Sequence, residues 1–344
     1  MIGIVIHGPE PVDSGYFQKI ESLLPTVERI VMAGTTGATA VIDAGLQDKV
    51  EILRYECISD AVADLMFEYE AVVIVNQGKT MEGSLHLASV VSSRIPSEGG
   101  GVVLFDNGFF AVLREGGEEL RSPAASKLAL SPKTVPPVEK SSVRVIHGVI
   151  PGESIWVNGN VIGRAVKPNP RIWKENDVLH FDGIEIRESA LAHVGDFNPL
   201  EVKIRSGKVR RTPFTPRAIS LSGCKDIIMV DHDAERCLRQ CSGAALAVTV
   251  GDDTTHVAGA LLYRFSVPII GIVDGDEDGI CDEKTIMPRS VIIRVAPGTD
   301  DIVGNKVRAE IFGGKERIDE GIPDEIVIKV MEIAEPYLIS VKQW

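Results

Sequence analysis

Three apolar runs in the last third of the chain end in carboxylates: Asp231-His232-Asp233, Gly251-Asp252-Asp253 and Asp274-Gly275-Asp276-Glu277-Asp278-Gly279. If these runs are consecutive parallel strands, their ends open on one sheet edge, the edge where α/β proteins bind ligands. Carboxylates gathered within a few ångströms repel one another unless a cation sits among them, and hard oxygen donors select Mg²⁺ or Mn²⁺, with Ca²⁺ as the alternative. The expected metal ligands are Asp274, Asp276, Asp278 and Asp252, and the expected catalytic partners are Asp231, His232 and Asp233. The same loop meets the opening positions of an EF-hand calcium loop, with Asp282 at the ninth. Thr285, however, stands where the twelfth position needs a bidentate Glu. The plain alternative is that acidic strand ends are solvated turns.

A second set of candidates lies near the start of the chain. Gly34-Thr35-Thr36-Gly37 follows a Val/Ile run and opens a helical pattern, so backbone N–H groups and the helix dipole there suit a phosphate or carboxylate. Gly8-Pro9-Glu10 and Asn76-Gln77-Gly78-Lys79-Thr80 should reach the same edge. Gly8, Glu10, Gly34, Thr35, Thr36, Gly37, Asn76 and Lys79 are therefore the candidates for holding a nucleotide or another phosphate-bearing small molecule, set against the reading of Gly34–Gly37 as a tight turn. Gly78-Lys79-Thr80 is similar to the end of a P-loop, but Val73 stands where its leading Gly belongs, and no Gly-x-Gly-x-x-Gly follows the first strand.

Lys203, Arg205, Lys208, Arg210 and Arg211 form a ribbon without an intervening acid, suited to nucleic acid or to an anionic ligand, or else to guarding an edge strand. Cys224, Cys237, Cys241 and Cys281 lie in the last lobe at spacings that match no zinc or iron–sulfur signature, which favours core thiols.

The elements that must position these groups alternate in kind. Strands are expected at 2–7, 28–33, 49–54, 71–76 and 101–106, with helices at 15–24, 36–45, 60–68 and 81–94 starting from Ser14, Thr36, Ser59 and Thr80. That is a Rossmann-like parallel sheet over 1–115. A proline-rich linker is expected over 116–141, then a small antiparallel β domain over 142–217. Its hairpins are read at Asn158-Gly159, Asp182-Gly183 and Ser206-Gly207. The α/β rhythm resumes over 218–344, with helices at 233–241, 254–265 (capped by Thr254 or Thr255), 300–311 and 323–338.

The runs IIMVDHD, AVTVG and IVDGDEDG resemble the toprim fold of topoisomerases and primases over roughly residues 224–297. That resemblance implies Mg²⁺ held at Asp231 or Asp233 and at Asp274, Asp276 and Asp278, for phosphodiester or phosphoryl chemistry. The family's general acid/base Glu is replaced here by Asp, which puts catalysis in doubt. Segments 7–15, 34–45 and 267–279 resemble an archaeal family, chiefly of methanogens, whose N-terminal part is known only as a domain of unknown function. It implies a cytosolic protein and no particular activity.

The 344 residues carry 36 Lys+Arg against 49 Asp+Glu, a net −13 that argues against indiscriminate binding to phosphate backbones. No apolar run reaches the ~18 residues of a membrane span, and Met1 leads straight into a strand, so a cytoplasmic protein is expected. Five cysteines at irregular spacing fit reduced thiols. The functional expectation is a divalent-metal-dependent enzyme acting on a phosphoester or nucleotide. A non-catalytic nucleotide- or metal-binding regulator is the alternative.

Overall fold

Val/Ile runs that are apolar at every position gain most by burial on both faces, which a parallel sheet flanked by helices provides. A computed structural model describes residues 1–116, 124–138, 141–208, 210–219, 223–231, 234, 237–241, 243–275 and 285–344. Two compact units result, Met1–Phe214 and Thr215–Trp344.

In the first unit, strands β1 (Ile2–His7), β2 (Val27–Ala33), β3 (Glu51–Tyr55), β4 (Ala71–Val75), β5 (Gly101–Asp106), β6 (Phe109–Arg114) and β7 (Ser131–Lys133) form one sheet of order β3-β2-β1-β4-β5-β6-β7. β1 to β5 are mutually parallel, and β6 runs antiparallel to β5. The strand period of two divides the core. Ile4, Ile6, Val73 and Phe105 meet Phe17, Ile20 and Val41 on one face. Val5, Val72, Ile74 and Leu104 meet Ala61, Val62, Leu65 and Ala88 on the other. The covering helices are α1 (Glu10–Asp13), α2 (Tyr16–Glu21), α3 (Thr35–Asp43), α4 (Ile58–Glu68) and α5 (Met81–Arg94). Of the four expected helix starts only Thr80 caps with its side chain, accepting from Gly83 N at 3.0 Å; Gly15, Gly34 and Cys57 occupy the others. The segment expected as a linker contributes β7 and a buried Ala124 to this body.

The rest of the first unit is two small antiparallel sheets over a shared core of Ile155, Val157, Ile162, Ile172 and Phe197. One has the order β13-β10-β9-β14 and the other β12-β11-β8. Their strands are β8 (Val143–Val145), β9 (Ser154–Val157), β10 (Asn160–Ala165), β11 (Arg171–Glu175), β12 (Val178–Asp182), β13 (Ile184–Ile186) and β14 (Ile204–Ser206), with helix α6 (Glu188–Val194). Asn158-Gly159 turns the β9–β10 hairpin with φ of 48° and 88°. Asp182-Gly183 does not make a hairpin: it carries the chain from one small sheet to the other. Ser206-Gly207 does not either, because among the described residues no returning strand follows β14. A hairpin the sequence reading missed joins β11 to β12 through Asn176 and Asp177, both at positive φ.

The second unit is a six-stranded sheet of order β19-β15-β16-β17-β18-β20. β15 (Asp226–Asp231), β16 (Ala244–Val250), β17 (Ile269–Val273) and β18 (Val291–Val295) are parallel; β19 (Arg317–Ile318) and β20 (Leu338–Gln343) are antiparallel edges. Its helices are α7 (Cys237–Gln240), α8 (Asp252–Tyr263), α9 (Asp300–Glu310) and α10 (Pro323–Ala334). The closing helix expected to reach 338 stops at Ala334, and β20 follows. Pairing with β18 satisfies the backbone groups of residues 338–343 that face it, while their side chains are exposed.

Candidate functional site

Strand register brings four strand ends of the first unit level. His7 pairs with Ala33, Ile6 with Val75, and Val75 with Phe105, so His7, Asn76 and Asp106 finish side by side where the sheet order reverses between β1 and β4. Asp106 is 2% exposed and its carboxylate accepts from Asn76 Nδ2 at 2.5 Å and from Asn107 N at 2.6 Å. Asn76 Nδ2 also donates to Ser84 Oγ at 3.2 Å. With its amide nitrogen so committed, Asn76 presents Oδ1 to His7 Nδ1 at 2.8 Å, so Nδ1 is the donor in this contact. Tyr16 closes the cluster by donating to the Asp106 carbonyl at 2.6 Å; burial, then the Asp106 charge, push its phenol pKa up. His7 and Asp106 were not singled out by sequence reasoning. They are 99 positions apart, and only the register brings them together.

Beside this cluster β2 leads through Gly34 into α3. Gly34 has φ 87° and ψ 155°, a conformation open to glycine, and Gly34 N donates to Tyr55 O at 3.1 Å. No side chain caps α3 and no acid lies in its first turn, so the dipole there faces no built-in anion. Thr35 and Thr36 are half-buried. Gly37 is buried, and a Cβ there would meet Met32 Sδ at 2.1 Å, so its glycine serves packing against Met32 and not an approach to phosphate.

The other candidates of this lobe are committed elsewhere. Gly8 has φ 78°, and a Cβ on it would meet Glu10 Oε2 at 2.9 Å. Glu10 accepts from Arg211 Nε at 2.8 Å. Lys79 Nζ pairs with Glu153 at 2.6 Å and donates to Ser206 Oγ at 2.7 Å. Arg210 pairs with Asp13 and, at 2.5 Å, with Asp43, all three side chains at most 6% exposed, and its guanidinium lies over the Phe214 ring. Arg210 and Arg211 thus fasten the 210–214 segment to α1 and α3. Arg205 stacks on Trp156, with Cζ 4.5 Å from the ring centre. Lys203 and Lys208 have partners within the chain as well.

In the second unit β16 leads through Gly251 (φ 92°, ψ 147°) into α8. Gly251 is the N-cap. Thr254 and Thr255, expected as caps, lie inside the helix, and Thr255 Oγ1 shares a 2.8 Å hydrogen bond with Thr249 Oγ1. Asp252 is buried and its Oδ2 accepts from Asp274 N and Gly275 N, both at 2.9 Å. Asp274 Oδ2 accepts from Gly298 N at 2.6 Å, while its Oδ1 is buried and has no hydrogen-bond partner among the described residues. Asp231 is neutralised by Arg308 at 2.8 Å. His232, Asp233, Asp276 and Asp278, like Cys281, lie outside the described residues. Among the described residues no three His, Cys, Asp or Glu side chains gather to hold a metal. Cys241 donates to Leu238 O, and burial pushes its thiol up to about 12, the reverse of what a metal-binding thiolate needs.

Helices on both faces of the first sheet and its order around β1 define a doubly wound α/β protein. More particularly, the chain belongs to the family described as an uncharacterized protein conserved in archaea (DUF2117), which matches residues 4–315. An uncharacterized protein of Methanocaldococcus jannaschii is 29% identical over 350 residues, covering 94% of this chain and 95% of that one. No solved structure matches. The archaeal resemblance of the sequence segments is borne out; neither match carries a toprim description. Among the described residues no helix is long and apolar enough to cross a membrane.

Proposed function

We propose that the protein binds a phosphate-bearing small molecule, a nucleotide by class, at the carboxyl edge of its N-terminal parallel sheet. The observation that carries this reading is the start of α3: a strand–glycine–helix turn with neither a capping side chain nor an acid in its first turn, one strand away from the point where the sheet order reverses. Main-chain N–H groups at Thr35 and Thr36 would receive the phosphate. His7, oriented by Asn76 and Asp106, would stand beside the bound ligand as a candidate proton acceptor.

Isothermal titration of the intact protein with ATP, AMP and inorganic phosphate tests this. Binding of the phosphate compounds is expected, weakened at least tenfold by Thr35→Asp, which places a carboxylate where the phosphate would sit. If none of the three binds, or if Thr35→Asp binds them as well as the parent, the reading is lost.

A second reading keeps the divalent metal in the other unit, for phosphoester chemistry. It is favoured by Asp274 Oδ1, a buried carboxylate oxygen without a hydrogen-bond partner among the described residues. Asp276 and Asp278 would supply further ligands. Melting with Mg²⁺ or Mn²⁺ against EDTA should then show a stabilisation that Asp274→Asn removes; identical melts with and without metal would leave only the binding reading.

A further inference from the structure

A cavity of about 540 Å³ lies in the first unit, between the outward face of α5, strand β8 and the 136–138 segment. Its size falls in the range of small-molecule sites. The walls are mostly apolar, from Leu85, Val143, Val145 and Pro137, and its rim carries three exposed hydrophobic side chains, Met81, Val138 and Leu200, at 52%, 43% and 47% exposure. Solvent contact at such positions disfavours isolation and suits an apolar occupant.

Cations stand in this apolar setting. Arg144 on β8 and Arg94 in the last turn of α5 both line the cavity, and neither guanidinium has an ion-pair partner among the described residues. Burial, then the charge of Arg94, make the Arg144 cation harder to hold, with no carboxylate acting to offset them. The cavity's acid, Glu82, is already engaged, accepting from Asn169 Nδ2 at 2.8 Å and from His147 Nδ1 at 3.2 Å. His147 stacks on His86 with ring centres 4.0 Å apart. His86 is held neutral, its pKa driven down to about 4 by burial and then by the charges of His147 and Arg144. Deeper in, Ser89 is 3% exposed and its Oγ has no hydrogen-bond partner among the described residues. An unpaired buried hydroxyl and a half-buried unpaired guanidinium each cost free energy that an occupant with acceptor oxygens would recover.

We propose that this cavity is a binding site for a small amphipathic organic anion, its acidic head at Arg144 and Arg94 and its apolar body against Leu85, Val143 and Val145. The site is separate from the sheet-edge turn at Gly34, and its success or failure says nothing about phosphate binding there. Octanoate is the probe and n-octanol its uncharged control, titrated calorimetrically into the intact protein. Octanoate should bind at least tenfold more tightly than octanol, and Arg144→Met should erase most of that preference while leaving apolar contact in place. Arg94→Met, an exposed change at a helix end, should reduce it by a smaller factor and serves as the test if Arg144→Met does not fold. No heat with octanoate, equal affinity for octanol, or a preference indifferent to the arginine variants would overturn the proposal.

Discussion

The two units contain the same turn with opposite chemistry. In each, a buried parallel strand passes through a glycine near φ 90° and ψ 150° into a helix, and the glycine N–H donates to a carbonyl of the next parallel strand: Gly34 to Tyr55 at 3.1 Å, Gly251 to Ile272 at 2.9 Å. After Gly251 come Asp252 and Asp253; after Gly34 come Thr35 and Thr36. Asp252 supplies the anion that the helix start attracts and spends it on two backbone N–H groups. The turn at Gly34 contains no such anion. A turn with the same backbone is thus a structural clasp in one unit and a receptive edge in the other.

The largest expected effect comes from the charges that keep the first unit's turn in place. Arg210→Met strands Asp13 and Asp43 as buried carboxylates and should cost about 3–5 kcal/mol, read as a fall in urea midpoint. A loss under about 1 kcal/mol would mean that the pair is solvated in solution. Asp252→Ala tests the clasp directly: two buried N–H groups lose their acceptor, and about 2–3 kcal/mol of stability should go. Asp252→Asn keeps an acceptor oxygen and should retain about half of it. If both substitutions are silent, the two turns do not differ in the way described.

Acidification should separate the units further. The His86 pKa sits near 4 in the folded state, below its unfolded value, so the unfolded chain binds the extra proton first. Stability is full above about pH 6.5 and should fall as the pH drops toward 4, by roughly 1–3 kcal/mol, a loss absent from His86→Phe. Melting both proteins across that window checks it. The smallest effect is the most diagnostic. Thr35→Asp copies the second turn's pattern onto the first and should stabilise α3 by about 0.3–1 kcal/mol while closing it to phosphate. A simultaneous gain in melting temperature and loss of ligand binding would establish that one side chain separates the two turns.

Much of the scaffold was legible. β1, β5, β15 and β16 fall where the apolar runs predicted, because a strand buried on both faces declares itself in consecutive Val and Ile. Asn158-Gly159 and Thr80 were read correctly because their chemistry is local. Ser206-Gly207 misled because turn propensity cannot see that Arg210 is drawn away by Asp13 and Asp43. The closing helix read from the sequence runs on to 338, and the strand Leu338–Gln343 goes unread because its pairing with β18 is an interaction that periodicity does not encode. For the site the division is the same. The glycine opening α3 was visible, whereas the alignment of His7, Asn76 and Asp106 and the placing of Arg94 and Arg144 on one cavity exist only through sheet register and packing.

The attachment of Arg210 to Asp13 and Asp43 also bears on how the chain is made. Those partners are separated by 197 and 167 positions. As a nascent chain leaves the ribosome amino end first, the opening α/β lobe waits through the synthesis of the whole β-rich insertion before its two buried acids are matched. Until then it is a lobe with an unfinished interior, and the long loop to be closed predicts slow, late consolidation. A fragment ending before residue 210 should accordingly be captured by chaperones or proteases, whereas one ending after Phe214 should escape them.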